Sequence, residues 1–449
     1  MIRAVLLSVV LATSAMSARD HGRAQVQAPA PPNILLIISD DHAWSDYGFM
    51  GHSVVRTPAL DRLAAESRLY TRGYVPTALC RPSLATLLTG RYPHQHGITG
   101  NDPPGGAATM SDPARRAAMV DVFRRNKVLP ALLADKGYVS FQSGKWWEGR
   151  PQDFGFTKAM THGDVGRQGR HGDEGLTIGR QGLQPIYDFI DSAAGKPFFV
   201  WYAPFLPHTP HTPPDRMLKK YQAPDVAPPV ARYYAMIEWL DETVGQLLDH
   251  LDRRSLRDNT VVLYLADNGW IQSPGPGPQP PTRAKMSPYD AGIRTPVIIR
   301  WPGRITAARD EKTLVGSIDV MPTLLRAAGI TPSVELQGID LLDSRALAAR
   351  KTLFGSLFVH TAVQVANPTA NLKYRYAIRE DGWKLVEPYT PNRNATLMID
   401  GRTSGWMRFE PELYNVVADP REEKDRAAER PDLVKALRAA IDGWWHVVP

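Results

Sequence analysis

NILLIISDD, residues 33–41, and TVVLYLADNG, residues 260–269, are two unbroken apolar runs that each end in acidic or amide side chains. Both are short, rich in Ile, Leu and Val, and apolar at consecutive rather than alternate positions. That pattern suits strands covered on both faces. Val139–Ser143 and Pro197–Tyr202 (PFFVWY) read the same way, and Val297–Arg300 as a further strand. Helical patterns lie between them. Thr57 caps and Pro58 opens a helix predicted to run through LDRLAAESRLY, and Val128–Lys136 forms another that Gly137 stops. Ala231–Asp252 repeats Met236, Leu240, Val244, Leu247 and Leu251 along one face. Strands alternating with helices predict an α/β fold built on a mainly parallel sheet.

The texture changes near Lys351. RYAIREDGWKLVEPY predicts an antiparallel hairpin turned at Asp381-Gly382, and Pro431–Trp445 an amphipathic helix. The expected division is a signal peptide over 1–24, a Pro/Ala/Gln linker over 25–32, a main domain over 33–350 and a smaller sheet-plus-helix subdomain over 351–449. Gln272–Pro281 (QSPGPGPQPP) is a Pro/Gly loop, expected to rim a cleft.

Composition narrows the class. The chain has 449 residues, 43% apolar and 22% charged, which excludes a disordered or fibrous protein. Arg3, the apolar Ala4–Met16 and the small residues after it predict a signal peptide, hence an exported, periplasmic or secreted protein. A retained N-terminal anchor is the other reading. No stretch approaches the ~20 apolar residues of a bilayer span, so no stable membrane insertion is expected once the leader is removed. One cysteine permits no internal disulfide. A formal charge of +7 favours anionic substrates, but Lys and Arg are scattered, and nucleic acid is not indicated.

The chemistry begins at the strand ends, where open α/β sheets bind ligands. Asp40-Asp41 and Asp267-Asn268 would repel or compete there unless a cation joined them. Carboxylate and amide oxygens suit a hard ion, Ca²⁺ or Mg²⁺. Both motifs also serve as plain turns elsewhere. Cys80 lies in LCRPSLATLLTGRYPHQHG, with Pro82 placed for the first turn of a helix. The thiol therefore sits where backbone N–H groups favour an anion.

These motifs together resemble the sulfatase family. CRPS followed by LLTGRYPHQHG is similar to the segment around the cysteine that sulfatases oxidise to formylglycine (3-oxoalanine). DD, GKW at Gly144–Trp146, PHTPH at Pro207–His211, DNG, Lys285 with YDAGIRTP (289–296) and ELYNVVADPREEKDRA follow in the family's order. The resemblance implies an alkaline-phosphatase-like fold: a large mixed, mainly parallel sheet flanked by helices, plus a smaller C-terminal four-stranded antiparallel sheet and helix. It makes 33–350 the catalytic domain. It implies that Asp40, Asp41, Asp267, Asn268 and the modified Cys80 hold Ca²⁺ (or Mg²⁺). Lys285 and His208 would protonate the leaving oxygen, Lys145 would hold the aldehyde hydrate and sulfate, and one hydroxyl of that hydrate would attack sulfur. A maturing enzyme that generates formylglycine would be the partner. The substrate would be a sulfated small molecule or glycan.

Two positions depart from the pattern. Leu84 stands where the family carries an arginine, and Trp147 where it carries a histidine. Arg81 and His171 are the candidate substitutes, with His211 as a further substrate-binding candidate and His42 as a residue behind the acids. The leading expectation is a sulfuric ester hydrolase acting on a sulfated carbohydrate. A phosphonate or phosphodiester hydrolase is the first alternative, and a non-catalytic metal- or glycan-binding descendant the second.

Overall fold

The computed structural model describes residues 30–106, 112–163, 170–275, 283–332, 335–392 and 408–447. The expected signal peptide, most of the linker and residues 276–281 of the Pro/Gly loop lie outside the described residues. Among the described residues no helix is long and apolar enough to cross a membrane.

Nine strands form the main sheet: β1 Asn33–Ser39, β2 Arg68–Tyr74, β3 Val139–Gly144, β4 Lys158–Ala159, β5 Phe198–Ala203, β6 Thr260–Ala266, β7 Arg294–Arg300, β8 Ala308–Asp310 and β9 Val315–Gly316. Their order is β4-β3-β5-β1-β6-β7-β2-β8, with β9 also on β2. β4, β3, β5, β1 and β6 run parallel, and β7 alone runs against its neighbours β6 and β2.

Pleating sorts the apolar run of β1 onto two faces. Ile34, Leu36 and Ile38 enter one core with Leu84, Leu87 and Leu88 of the helix Cys80–Thr89. Leu35 and Ile37 enter the other with Met236, Leu240, Val244 and Leu247 of the helix Pro228–Arg253. Burying each such side chain contributes about 1.5–3 kcal/mol, so helices on both faces explain a strand with no polar alternation.

A second, antiparallel sheet is made by β10 Thr352–Phe358, β11 Leu372–Arg379, β12 Trp383–Pro388 and β13 Glu412–Asn415, in that order. The predicted hairpin is β11–β12, and Gly382 at its turn has φ 92, open to glycine without strain. Leu433, Leu437 and Ile441 of the helix Pro431–Trp444 cover one face. Leu353, Tyr376 and Val386 pack with Tyr74 of β2 and with Tyr289 and Ile293, which precede β7.

Several bounds shift by a few residues, and one expected element changes type part-way. The helix opened by Pro58 ends at Ala65, and Arg68–Tyr74 is a strand. Leu69 and Tyr70 continue the helical spacing, but they alternate equally well across β2 and are buried on its two faces. Sheet pairing with β7 decides between the two periods.

Candidate active site

Strand order assembles the site. β1 and β6 pair in register from Asn33 to Ser39, with Ser39 opposite Ala266, so Asp40-Asp41 and Asp267-Asn268 leave the sheet side by side. β5 lies on the other side of β1 and leads to His208, and β3 beyond it leads to Lys145. Because β7 is reversed, its entrance lies at the same edge and is fed by the segment carrying Lys285. β2 ends there too and leads into the helix that opens at Cys80. Six separate stretches thus meet at one sheet edge. Close approach is built in: a Cβ at Gly144 would fall 1.9 Å from the Ala203 carbonyl oxygen, and one at Gly269 would fall 2.1 Å from that of Ala291.

The acids are buried and interlocked. Ligand atoms of Asp40, Cys80 and Asp267 lie within 4.8 Å of one another, as do those of Asp40, Asp41 and His208. Lys145 Nζ donates to Asp40 Oδ1 at 2.6 Å and to Asp267 Oδ2 at 3.3 Å. Lys285 Nζ donates to Asp41 Oδ1 at 2.6 Å, and Asn268 Nδ2 donates to the same oxygen at 2.7 Å. The Asp41 N–H donates to Asp267 Oδ1 at 3.2 Å.

Two oxygens remain over: Asp40 Oδ2 and Asn268 Oδ1 are buried without a hydrogen-bond donor. Buried polar atoms are normally paired. Two unpartnered acceptor oxygens, among three carboxylates and beside a thiol, fit a hard divalent cation.

Charge and burial split the groups. Burial, with Asp267 and Asp41 adding repulsion against the pull of Lys145, pushes the Asp40 carboxyl well up. Burial also opposes ionisation of Asp41, but Lys285, His208 and Lys145 overcome it and hold that carboxyl below the ordinary range. Burial works against charge on Lys145 too. Asp40, Cys80 and Asp267 win, and the ammonium is held. Lys285 is held protonated against burial chiefly by Asp41.

Cys80 is the first residue of its helix and 1% exposed. Burial pushes its thiol up to about 12 despite Lys145 and Lys285. His208 Nδ1 donates to the Thr209 carbonyl at 2.6 Å, which leaves Nε2 facing Asp41 Oδ2 at 3.4 Å. Burial pushes the His208 imidazole well down, and Asp41 opposes that shift.

The remaining candidates separate. His171 stands at the site: its ring centroid is 5.2 Å from Trp147 and 6.1 Å from His208. His211 packs on Tyr233 at 5.4 Å, and burial pushes it down to about 4. Arg81 is not free to meet a substrate, because Nε and Nη2 both donate to the Glu148 carboxylate at 2.7 Å and the pair is buried. Leu84 lies in the apolar core.

His42 is fully buried rather than exposed. It stacks on Tyr47 at 4.0 Å and bonds the Asp46 carbonyl at 3.1 Å, bracing the acidic turn from behind. Sequence reasoning missed Glu148, next to GKWW, and Tyr233, whose hydroxyl donates to the Asp41 carbonyl and accepts from the Ala43 N–H. Their only sequence signals are adjacency to a motif and a polar tip on an otherwise apolar helix face.

This constellation has known counterparts. The sulfatase family model matches residues 32–330. The chain belongs to the sulfatase family. A second family model, the C-terminal region of N-sulphoglucosamine sulphohydrolase, matches residues 284–438. N-acetylgalactosamine-6-sulfatase of Canis lupus familiaris is 34% identical over 358 residues, 71% of this chain and 66% of that protein. Arylsulfatase A of Bos taurus is 31% identical over 388 residues, 74% of this chain and 71% of that protein. Among solved structures, Ps i-CgsB in complex with k-i-k-neocarrahexaose has a TM-score of 0.72 at 23% identity, covering 93% of each chain. That likeness extends the shared fold over both sheets.

Proposed function

We propose that this sulfatase hydrolyses a sulfate ester of a carbohydrate, using Cys80 after its oxidation to formylglycine and a bound divalent cation. The observation that carries the reading is the meeting of Asp40, Asp41, Asp267, Asn268 and Cys80 within one buried cluster, flanked by Lys145, His208 and Lys285. The relatives named above desulfate carbohydrate or aryl esters by their names, which supports the substrate class.

The thiol itself points to conversion. Burial disfavours the thiolate of Cys80, which makes the unmodified side chain a poor nucleophile. An aldehyde in its place becomes a hydroxyl nucleophile on hydration. Asp40, Asp41, Asp267 and Asn268 would hold the cation, which when bound supplies Lewis-acid stabilisation of charge on the sulfuryl oxygens. Ca²⁺ is the proposed ion on donor chemistry, with Mg²⁺ the alternative.

The chain's own groups do the rest. Lys145 and Lys285 are ammonium ions fixed on the acids, so they stabilise developing negative charge without reorganising. His208 commits Nδ1 as donor to the Thr209 carbonyl, so Nε2, which faces Asp41, is the nitrogen that would carry a transferable proton in the imidazolium form. Burial disfavours that imidazolium, and Asp41 opposes the shift.

Export, with a formylglycine-generating partner acting on the chain, completes the proposal on the N-terminal pattern and the CRPS motif. The test is a panel of aryl sulfate, sulfated sugar, phosphodiester and phosphonate substrates. Preferential sulfate release supports the reading; preferential phosphodiester or phosphonate turnover ends it.

A further inference from the structure

The segment Arg170–Gly172 lies against the end of β3, directly beside Lys145. The Trp146 N–H donates to the His171 carbonyl at 2.8 Å. A Cβ at Gly172 would sit 2.6 Å from the Gly144 carbonyl oxygen, so no larger residue lets the segment approach. The approach places His171 among Trp147, Phe205 and His208, with ring centroids at 5.2, 5.5 and 6.1 Å. The rings of Trp147 and Phe205 lie 5.5 and 5.9 Å from the Lys145 ammonium.

Arg170 is itself anchored. Nε and Nη2 donate to the two carboxylate oxygens of buried Asp102 at 2.7 and 2.6 Å. Arg116 and His360 approach the same carboxylate, both at 3.6 Å. Arg170 Nη1 then lies 2.6 Å from His171 Nε2. A guanidinium has only donors, so this nitrogen must offer its lone pair. The imidazole is therefore neutral and carries its proton on Nδ1. Nδ1 makes no hydrogen bond to the described residues. On the same wall the Trp147 indole N–H is buried without an acceptor. An unmet donor of that kind is costly unless a ligand supplies an acceptor.

We propose that His171, fixed as its Nδ1–H tautomer by the Asp102–Arg170 pair, donates a hydrogen bond to a sulfuryl oxygen of the substrate beside Lys145. The proposal rests on the sulfate-ester reading and names a further ligand-binding residue of that site. A sulfuryl group presents several acceptor oxygens at once, and a second neutral donor satisfies one of them without adding repulsion to the two lysines. Arg170 acts through His171 as a positioning residue.

The test titrates inorganic sulfate, in the presence of Ca²⁺, into protein that still carries the Cys80 thiol. It compares wild type with His171→Ala and His171→Gln, and records unfolding midpoints and Ca²⁺ uptake alongside. The expected result is sulfate binding weakened about tenfold or more by His171→Ala. The midpoint and Ca²⁺ uptake stay as in wild type, and added imidazole partly restores affinity. His171→Gln, which keeps an N–H, falls in between and carries the comparison if the alanine variant does not fold. Equal sulfate affinity in wild type and both variants overturns the proposal alone. Wild-type protein that takes up Ca²⁺ but does not bind sulfate overturns the sulfate-ester reading and this proposal with it.

Discussion

At the scale of single residues, the acids after β1 and β6 have no stable arrangement without compensating charge, and the structure supplies it from Lys145 and Lys285. Asp267 touches both sides of that arrangement, accepting from Lys145 and from the Asp41 backbone. Asp267→Ala should therefore abolish both Ca²⁺ uptake, measured by titration calorimetry, and ester turnover. Retained turnover would refute the ligand assignment. Arg81 and Glu148 make a different kind of pair, buried and bidentate. Removing one partner strands a buried charge, so Glu148→Ala should lower stability by about 3–5 kcal/mol in denaturant unfolding. A loss within the range of a surface substitution would show that the pair is solvated.

The acids and Cys80 were legible in the sequence, because strand-end position and a first-turn proline are local signals. The locking of Arg81 by Glu148 and of His171 by Arg170 was not, because each depends on which stretches the fold brings together. Leu84 and Trp147 read as losses from a polar pocket. In the structure Leu84 is core, and Trp147 forms a wall with His171.

At the scale of elements, the sequence misled where two periods coincide, as at Ser67–Tyr70. It was silent on β4, β8 and β9, which are two or three residues long and exist only through pairing. Long elements were legible: β1 and β6 were expected at the bounds observed. The two sheets are joined by a buried cluster that no local pattern announces. Lys384 of β12 bonds Asp290 at 2.9 Å and Glu422 at 2.5 Å, and the Asp290 N–H donates to Glu422 at 2.6 Å.

Burial, with Asp290 adding repulsion against the pull of Lys384, raises the Glu422 carboxyl from 4.5 to about 7. A carboxyl raised in the folded state binds more protons there than in the unfolded chain. Its contribution is complete below pH 4.5 and is lost as pH rises through about 7. Chemical denaturation between pH 4 and 8 should thus show wild type losing stability relative to Glu422→Gln across that window. Parallel profiles would place Glu422 outside the linkage.

At the scale of the molecule, the parallel strands β3, β5, β1 and β6, one reversed strand and one helix start deliver the site to a single edge, so site and core share their framework. An ion bound there stabilises the whole fold by mass action, by about 4 kcal/mol at a thousandfold excess over its Kd. Chelation should lower the unfolding midpoint and stop turnover together, and Ca²⁺ should restore both. A chelated protein that keeps its midpoint and its activity would remove the ion from the account.

The central claim is that the buried acids and Cys80 form one centre for sulfate-ester hydrolysis. Its most direct test measures sulfate released from sulfated sugars by ion chromatography, using protein whose Cys80 peptide carries the aldehyde by mass spectrometry. The account predicts sulfate release that disappears in the unconverted thiol form. Equal release by the thiol form, or none from any sulfated sugar by the converted and Ca²⁺-loaded protein, would contradict it.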